Sequence, residues 1–218
     1  MKYRALLFDM DGTLLDTLQD IADSMNAVLK GYGFPVHPAY KYKKFVGGGM
    51  DMLARRVLPE DRFEERLVPD LAEKMNAEYS MRWDKNTRLY PGVDTMLDNL
   101  RQRGVRLSLL SNKPDLFTKM IYERYLAKWE FEIVMGACPG VPKKPDPYAA
   151  LLIAQQMGLA PEQFIYLGDS DTDMKTAIAA GMHPVGALWG FRDAEELRAN
   201  GALELLERPE ELAGLLED

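Results

Sequence analysis

Short, mainly apolar runs recur along the chain, with stretches of helical periodicity between them. Runs that are apolar at successive positions are typical of strands covered on both faces in a parallel sheet. The runs lie at Ala5–Phe8, Val105–Leu110, Phe131–Met135, Phe164–Leu167 and Pro184–Leu188. One intervening helix is predicted at Tyr148–Met157, because Asp146 can cap it and Pro147 suits its first turn. The alternation predicts an α/β fold with a doubly wound, mostly parallel sheet.

One long segment breaks this alternation. From about Leu18 to Trp83 the apolar residues follow helical spacing, and no strand pattern of comparable strength appears. We therefore predict a small all-helical cap domain at residues 16–86, inserted after the first strand. The α/β core is predicted at residues 1–15 and 87–218. Hinges are expected near residues 15–17 and 86–88.

Polar residues stand where several predicted strands end, and ligands bind at that edge of doubly wound sheets. Asp9 and Asp11 follow the first strand, and Asp169 and Asp173 follow the fourth. If those strands are neighbours, the carboxylates converge and repel one another, which calls for protonation or a cation. Oxygen ligands favour a hard ion such as Mg²⁺, which often binds substrate phosphate as well. Magnesium and a phosphate are therefore predicted together.

Two further segments complete the candidate site. Ser111 and Asn112 end the second strand with a hydroxyl and an amide, and Lys144 places a cation before a helix. A phosphoryl group in transfer needs such donors and positive charge around its oxygens. Each segment alone is weak evidence for a phosphate site, but the order and placement of the segments along the chain make the combined evidence strong.

Composition and charge narrow the function classes. The chain has 218 residues, 47% hydrophobic and 28% charged, as in ordinary globular proteins. Its net charge of -7 argues against nonspecific nucleic-acid binding. Cys138 is the only cysteine, and the first apolar run is too short for a signal or a membrane span. We expect a cytoplasmic protein with no nucleic-acid or membrane partner, and the choice between monomer and homodimer stays open.

The motifs resemble those of the haloacid dehalogenase superfamily over essentially the whole chain. The matching positions are Asp9-Met10-Asp11-Gly12-Thr13, Ser111, Lys144, and Gly168-Asp169 with Asp173. The resemblance implies a Rossmann-like core in which Asp9 attacks phosphorus to give an aspartyl phosphate, while Asp11 serves as general acid and then base. It also implies that magnesium is bound by Asp9, the Asp11 backbone carbonyl and Asp169. Ser111 and Lys144 would hold the phosphoryl oxygens, and Thr13 and Asp173 would support the site.

Within the superfamily, the chain looks most like phosphoglycolate phosphatase-like members, which implies a small phosphorylated metabolite as substrate. A sugar phosphomutase or a pyrophosphatase of the same superfamily is the enzymatic alternative. The mutases resemble one another in a cap histidine, where this chain has Ile21. A phospho-accepting receiver module is the non-enzymatic alternative, although the helical insertion disfavours it.

Three segments raise weaker hypotheses about substrate choice. The amides of Gly47, Gly48 and Gly49 precede a helix and could meet a substrate carboxylate, although a flexible turn is equally open. Arg56 on the next cap helix could contact substrate or simply face solvent. The segment Trp189–Arg192 follows the last predicted strand and could form a wall of the site or an edge of the core.

Overall fold

A six-stranded sheet forms the centre of the structure, a computed structural model that describes residues 2–216. The strands of this part of the chain are Ala5–Phe8 (β1), Leu15–Asp16 (β2), Arg88–Leu89 (β3), Arg106–Pro114 (β4), Ile133–Ala137 (β5), Phe164–Gly168 (β6), His183–Ala187 (β7) and Glu204–Leu206 (β8). The sheet order is β5-β4-β1-β6-β7-β8, and every pair in it is parallel. The predicted doubly wound parallel sheet is confirmed.

Helices connect the strands and cover the sheet. They are Leu18–Gly31 (α1), Tyr42–Phe45 (α2), Met50–Val57 (α3), Leu67–Ser80 (α4), Val93–Gln102 (α5), Asp115–Tyr125 (α6), Tyr148–Gln156 (α7), Asp171–Ala180 (α8) and Ala194–Ala199 (α9). The predicted start of α7 is confirmed, since the Tyr148 amide donates to Asp146 Oδ1 over 2.9 Å. None of the helices in residues 2–216 is long and apolar enough to cross a membrane.

The central strand β1 explains why its sequence is apolar at every position. Leu6 and Phe8 pack into the hydrophobic cluster on one face of the sheet, and Ala5 and Leu7 pack into the cluster on the other. All four side chains have no exposed surface. Because successive residues of a strand point to opposite faces, a strand covered on both sides must be apolar throughout.

The helices α1 to α4, here called the cap, lie between β2 and β3 in sequence and form the predicted helical insertion. β2 and β3 pair antiparallel as a two-stranded ribbon that links the cap to the sheet. The predicted divisions at 15/16 and 86/87 fall within β2 and just before β3, and they stay a proposal about how the chain divides. The buried Asp20 accepts hydrogen bonds from Asn86 and Thr87, which ties α1 to the returning chain.

Two predicted strands need correction, and a third strand was not predicted. The strand expected at 131–135 begins and ends two residues later, because Phe131 leaves the sheet to pack against Phe8 with ring centroids 5.9 Å apart. β4 extends to Pro114, with an irregular register between Leu110 and Pro114. The short β8 was not predicted, since a three-residue edge strand carries little periodicity.

Candidate active site

The candidate site lies at the carboxyl edge of the sheet, where β1 runs between β4 and β6. Asp9 follows β1, Ser111 lies in the irregular part of β4, and Asp169 follows β6. A cavity of about 40 Å³ opens there, between the sheet and the cap. Its sheet side includes Asp9, Asp11, Ser111, Asn112, Lys113 and Asp169, and its cap side includes Ile21, Val46, Gly47, Gly49, Met50 and Leu53.

Asp9 is paired with a buried lysine. Lys144 Nζ lies 2.9 Å from Asp9 Oδ1 and 2.6 Å from Asp173 Oδ1, and it donates to the Leu110 carbonyl over 3.1 Å. Burial alone lowers the pKa of Lys144, but the charges of Asp173 and Asp9 outweigh it and raise that pKa well above its usual value. Lys144 therefore stays positively charged beside Asp9, with its three N–H donors engaged.

Three buried carboxylates crowd together at this edge. Oxygen atoms of Asp9, Asp169 and Asp173 lie within 4.8 Å of one another. Burial, and next the charge of Asp173, raise the pKa of Asp9 well above its usual value and that of Asp169 to about 7. One lysine does not balance three carboxylates, so their ionisation is disfavoured without a further cation. The donor set, all oxygen, fits a hard divalent metal ion.

Asp169 is held in place by a close approach of two backbone segments. Thr13 Oγ1 donates to Asp169 Oδ1 over 3.0 Å, and the Phe191 amide donates to Oδ2 over 2.7 Å. A Cβ atom on Gly12 would lie 2.2 Å from Asp169 Oδ2, and one on Gly190 would lie 2.3 Å from Asp169 Cβ. Glycine is therefore required at both positions for this carboxylate to reach the site.

Asp11 lies outside the carboxylate cluster and has its own buried partner. Lys113 Nζ lies 2.9 Å from Asp11 Oδ1 and 2.8 Å from Oδ2. Thr17, directly before the first cap helix, donates to Asp11 Oδ1 over 2.7 Å. Burial lowers the pKa of Lys113, but the charge of Asp11 and the hydrogen bonds raise it above its usual value. The two aspartates of the first motif thus occupy separate charged environments.

A sequence model described as haloacid dehalogenase-like hydrolase matches residues 6–187. The chain belongs to this family. Its curated relatives include a phosphoglycolate phosphatase of Aquifex aeolicus, 30% identical over 217 residues that cover 99% of this chain and 97% of the relative. Another is the phosphoglycolate phosphatase of Xanthomonas campestris pv. campestris, 34% identical over 191 residues that cover 87% and 85% of the two chains.

Solved structures agree with this assignment. A Lactobacillus delbrueckii subsp. bulgaricus protein, provisionally named phosphoglycolate phosphatase, superposes with a TM-score of 0.92 at 27% identity and covers 99% of each chain. The resemblance read from the motifs is therefore confirmed at the level of the family and the fold. The chain is a haloacid dehalogenase-like hydrolase of the phosphoglycolate phosphatase-like type.

The structure brings most of the predicted residues of this hydrolase together, and in it Asn112 contacts Lys144 and the cap. Asn112 Nδ2 donates to the Gly47 carbonyl over 2.9 Å and to the Lys144 carbonyl over 3.0 Å, and Oδ1 accepts from the Lys144 amide over 2.9 Å. Both amide donors are engaged here, so Asn112 fixes Lys144 and the cap in this arrangement, and its role as a phosphate ligand stays a prediction. Ser111 is buried and lines the cavity, and its Oγ accepts from the Lys113 amide over 3.2 Å.

The cap residues proposed for substrate choice fall into two groups, those that line the cavity and those that do not. Gly47 and Gly49 line the cavity with φ angles of 119° and 84°, conformations that favour glycine. Gly48 and Arg56 are outside the cavity lining. Arg56 Nη1 donates to the carbonyl of Phe45 over 3.1 Å and contacts those of Lys44 and Val46. Arg56 therefore supports the cap backbone through Nη1, and a contact of Arg56 with substrate stays a hypothesis.

Sequence reasoning missed Lys113 as part of the site. Its side chain is 2% exposed, although lysine is rarely buried unless it is paired. The available signal was its position: Lys113 follows five strand residues and two polar site residues, at the edge of the sheet where Asp11 also lies. A lysine that continues a buried strand requires a carboxylate partner, and Asp11 was the candidate.

Proposed function

We propose that this hydrolase cleaves a small phosphate monoester with Mg²⁺, and that 2-phosphoglycolate is the first substrate to test. Asp9 and Asp169 line one cavity and Lys144 is paired with Asp9, and this arrangement is the observation that carries the proposal. The curated relatives named phosphoglycolate phosphatase support the substrate class.

The proposed chemistry gives the two aspartates of the first motif different tasks. Asp11 takes up a proton from water before the reaction and turns from Lys113 to the substrate. An oxygen of Asp9 attacks phosphorus, the bond from phosphorus to the ester oxygen breaks, and Asp11 gives the leaving alcohol that proton. Water then attacks the aspartyl phosphate, Asp11 takes a proton from that water, and inorganic phosphate leaves with the Asp9 carboxylate restored. Dividing the displacement in this way lets one nucleophile and one acid–base group act in turn.

The surrounding residues prepare the nucleophile. Both of its close contacts, the Met10 amide at 2.7 Å and Lys144 Nζ at 2.9 Å, fall on Asp9 Oδ1. We infer that Oδ2, which makes neither of these contacts, is the attacking oxygen. Mg²⁺, held by Asp9, the Asp11 backbone carbonyl and Asp169, would supply charge that neutralises the phosphoryl oxygens. Ser111 would donate a hydrogen bond to those oxygens, and Lys144 can reach them only by exchanging one of its present partners.

Two assays test the proposal. Release of inorganic phosphate from p-nitrophenyl phosphate should require Mg²⁺, stop with EDTA, and be lost in Asp9→Asn. The second compares 2-phosphoglycolate with ethyl phosphate, which differ in a carboxylate against a methyl group. If the amides near Gly47 and Gly49 bind a carboxylate, kcat/KM should be at least tenfold higher for 2-phosphoglycolate, since one such charged interaction is worth about that factor. Equal values would remove the carboxylate subsite.

The alternatives give different results in the same experiments. Ile21 lines the cavity where mutases of the superfamily resemble one another in a histidine, so the apolar side chain argues against a phosphomutase. A pyrophosphatase would prefer pyrophosphate to every monoester tested. A receiver module would become phosphorylated once and release no further phosphate.

A further inference from the structure

The segment Gly190–Arg192, here called the strap, lies directly against Asp169. Its Phe191 amide donates to Asp169 Oδ2 over 2.7 Å. A Cβ on Gly190 would lie 2.3 Å from Asp169 Cβ, so the strap backbone packs on this side chain without space between them. A shift of the strap would therefore change the orientation of Asp169.

The opposite side of the strap is bound to the cap. Arg192 Nη1 donates to the Lys43 carbonyl, and Arg192 Nη2 donates to the Val46 carbonyl over 3.0 Å. In the reverse direction, Lys43 Nζ donates to the Gly190 carbonyl over 3.1 Å. Arg192 is 7% exposed, and its Nε is fixed by Glu196 Oε1 at 2.9 Å. Glu196, which lies outside the cap on α9, thus orients the Arg192 guanidinium, and the guanidinium bridges two backbone carbonyls of the cap.

We propose that Arg192 is a positioning residue that couples closure of the cap to the orientation of Asp169. With the cap closed, Arg192 and Lys43 hold the strap, and the strap holds Asp169 through the Phe191 amide. When the cap opens, these three hydrogen bonds break together and the strap gains freedom. Asp169 is then fully oriented only when substrate is enclosed.

A purely structural role for Arg192 would be to satisfy carbonyls at the end of α2, which otherwise lack donors. Arg56 meets part of that need from within the cap, since its Nη1 contacts the carbonyls of residues 44–46, whereas the Lys43 carbonyl accepts from Arg192. Arg192 differs in joining the cap to the strap. Arg56 therefore serves as a control, because it shares the Val46 carbonyl with Arg192 and, within residues 2–216, donates no hydrogen bond to the strap.

Hydrogen exchange of the Phe191 amide, followed by NMR in the resting protein, tests the coupling directly. In Arg192→Ala this amide should exchange about tenfold faster, because the loss of charge-assisted hydrogen bonds favours local opening. Lys43→Met leaves the core sequence intact and should give a smaller increase, about threefold. Arg56→Ala should leave the Phe191 rate unchanged while amides of the cap exchange faster. An unchanged rate in both Arg192→Ala and Lys43→Met, or an equal increase in Arg56→Ala, would overturn the proposal.

Arg192→Lys tests whether the coupling needs the shape of the guanidinium or only its positive charge. Lysine keeps the positive charge but cannot span two carbonyls as the guanidinium does. The coupling predicts faster Phe191 exchange in Arg192→Lys and weaker binding of Mg²⁺ alone by calorimetry. Wild-type values for both would mean that only the charge of Arg192 matters, and the coupling would be wrong.

A kinetic measurement extends the test and rests on the proposed function. With p-nitrophenyl phosphate, Arg192→Ala should raise KM about tenfold and lower kcat less, since substrate must now close a cap that is less often closed. A fall in kcat alone would contradict the coupling. If the wild-type protein releases no phosphate, the proposed function fails, while the exchange of Phe191 still decides the coupling.

Discussion

Asp20 should be the main fixed point between the cap and its returning linker, and its substitution should be costly. The side chain is 1% exposed. Its carboxylate accepts from four donors: the Asn86 amide at 2.9 Å, Asn86 Nδ2 at 2.8 Å, the Thr87 amide at 2.9 Å and Thr87 Oγ1 at 2.8 Å. These contacts join residues 66 and 67 positions apart in sequence.

The size of the effect follows from these contacts. Each hydrogen bond to a charged acceptor contributes about 1.5–3 kcal/mol, while burial of the carboxylate costs several kcal/mol, so Asp20→Ala should lower the free energy of unfolding by about 3–5 kcal/mol. Asp20→Asn should also cost about 2–4 kcal/mol. All four partners are donors, so the new amide would place its own N–H groups against theirs.

Urea unfolding followed by circular dichroism measures this loss. Asp23→Asn on the same helix is the control. Within residues 2–216, Asp23 accepts an exposed hydrogen bond from Gln19 alone, so this change should alter stability by less than about 0.5 kcal/mol. A loss below about 1 kcal/mol for Asp20→Asn would refute the reasoning, because the four donors would then be satisfied without a carboxylate.

Three further predictions concern the carboxylate edge. Gly12→Ala should weaken Mg²⁺ binding at least tenfold by calorimetry, because the new Cβ meets Asp169 Oδ2 at 2.2 Å; Gly140→Ala, at a similar φ of 81° with no atom within 4 Å, should leave it unchanged. Lys113→Met should lower the free energy of unfolding by about 3–5 kcal/mol in urea at pH 7, since Asp11 would be left buried without its cation; a loss under about 1 kcal/mol would contradict this. Metal-free protein should lose thermal stability as pH rises from about 4 to 7, because the pKa of Asp169 is raised by burial to about 7 in the folded state and the unfolded chain releases that proton more readily. Adding Mg²⁺ at pH 7.5 should restore the melting temperature. A melting temperature independent of both pH and Mg²⁺ would contradict the claim that ionisation of the buried carboxylates destabilises the metal-free protein.

Local sequence patterns were sufficient to predict the parallel sheet and the edge at which the polar residues that follow its strands lie. The apolar run before Asp9 required a strand covered on both faces, and parallel strands place their carboxyl ends at one edge. The prediction that Asp9 lies close to Asp169 depended on β1 and β6 being neighbours in the sheet. The spacing of the strands along the sequence did not establish that order. The structure places these two strands side by side.

Contacts between distant segments could not be predicted in the same way. Lys113 meets Asp11 across 102 positions because β1 and β4 are adjacent, and Arg192 meets the cap across 146 or more positions. No local periodicity marks such pairs. The contacts of Asn112 with Gly47 and Lys144 were missed for the same reason, since they join residues 65 and 32 positions apart in sequence.

The central claim, that Asp9 is the nucleophile, can be tested by trapping the covalent intermediate. Borohydride added during turnover of p-nitrophenyl phosphate with Mg²⁺ reduces an aspartyl phosphate to homoserine, and mass spectrometry of the N-terminal peptide locates it. The proposed chemistry predicts homoserine at position 9, and none in Asp9→Asn or in wild-type protein without substrate. Steady phosphate release with the modification at Asp11 or Asp169, or with no modification, would contradict it.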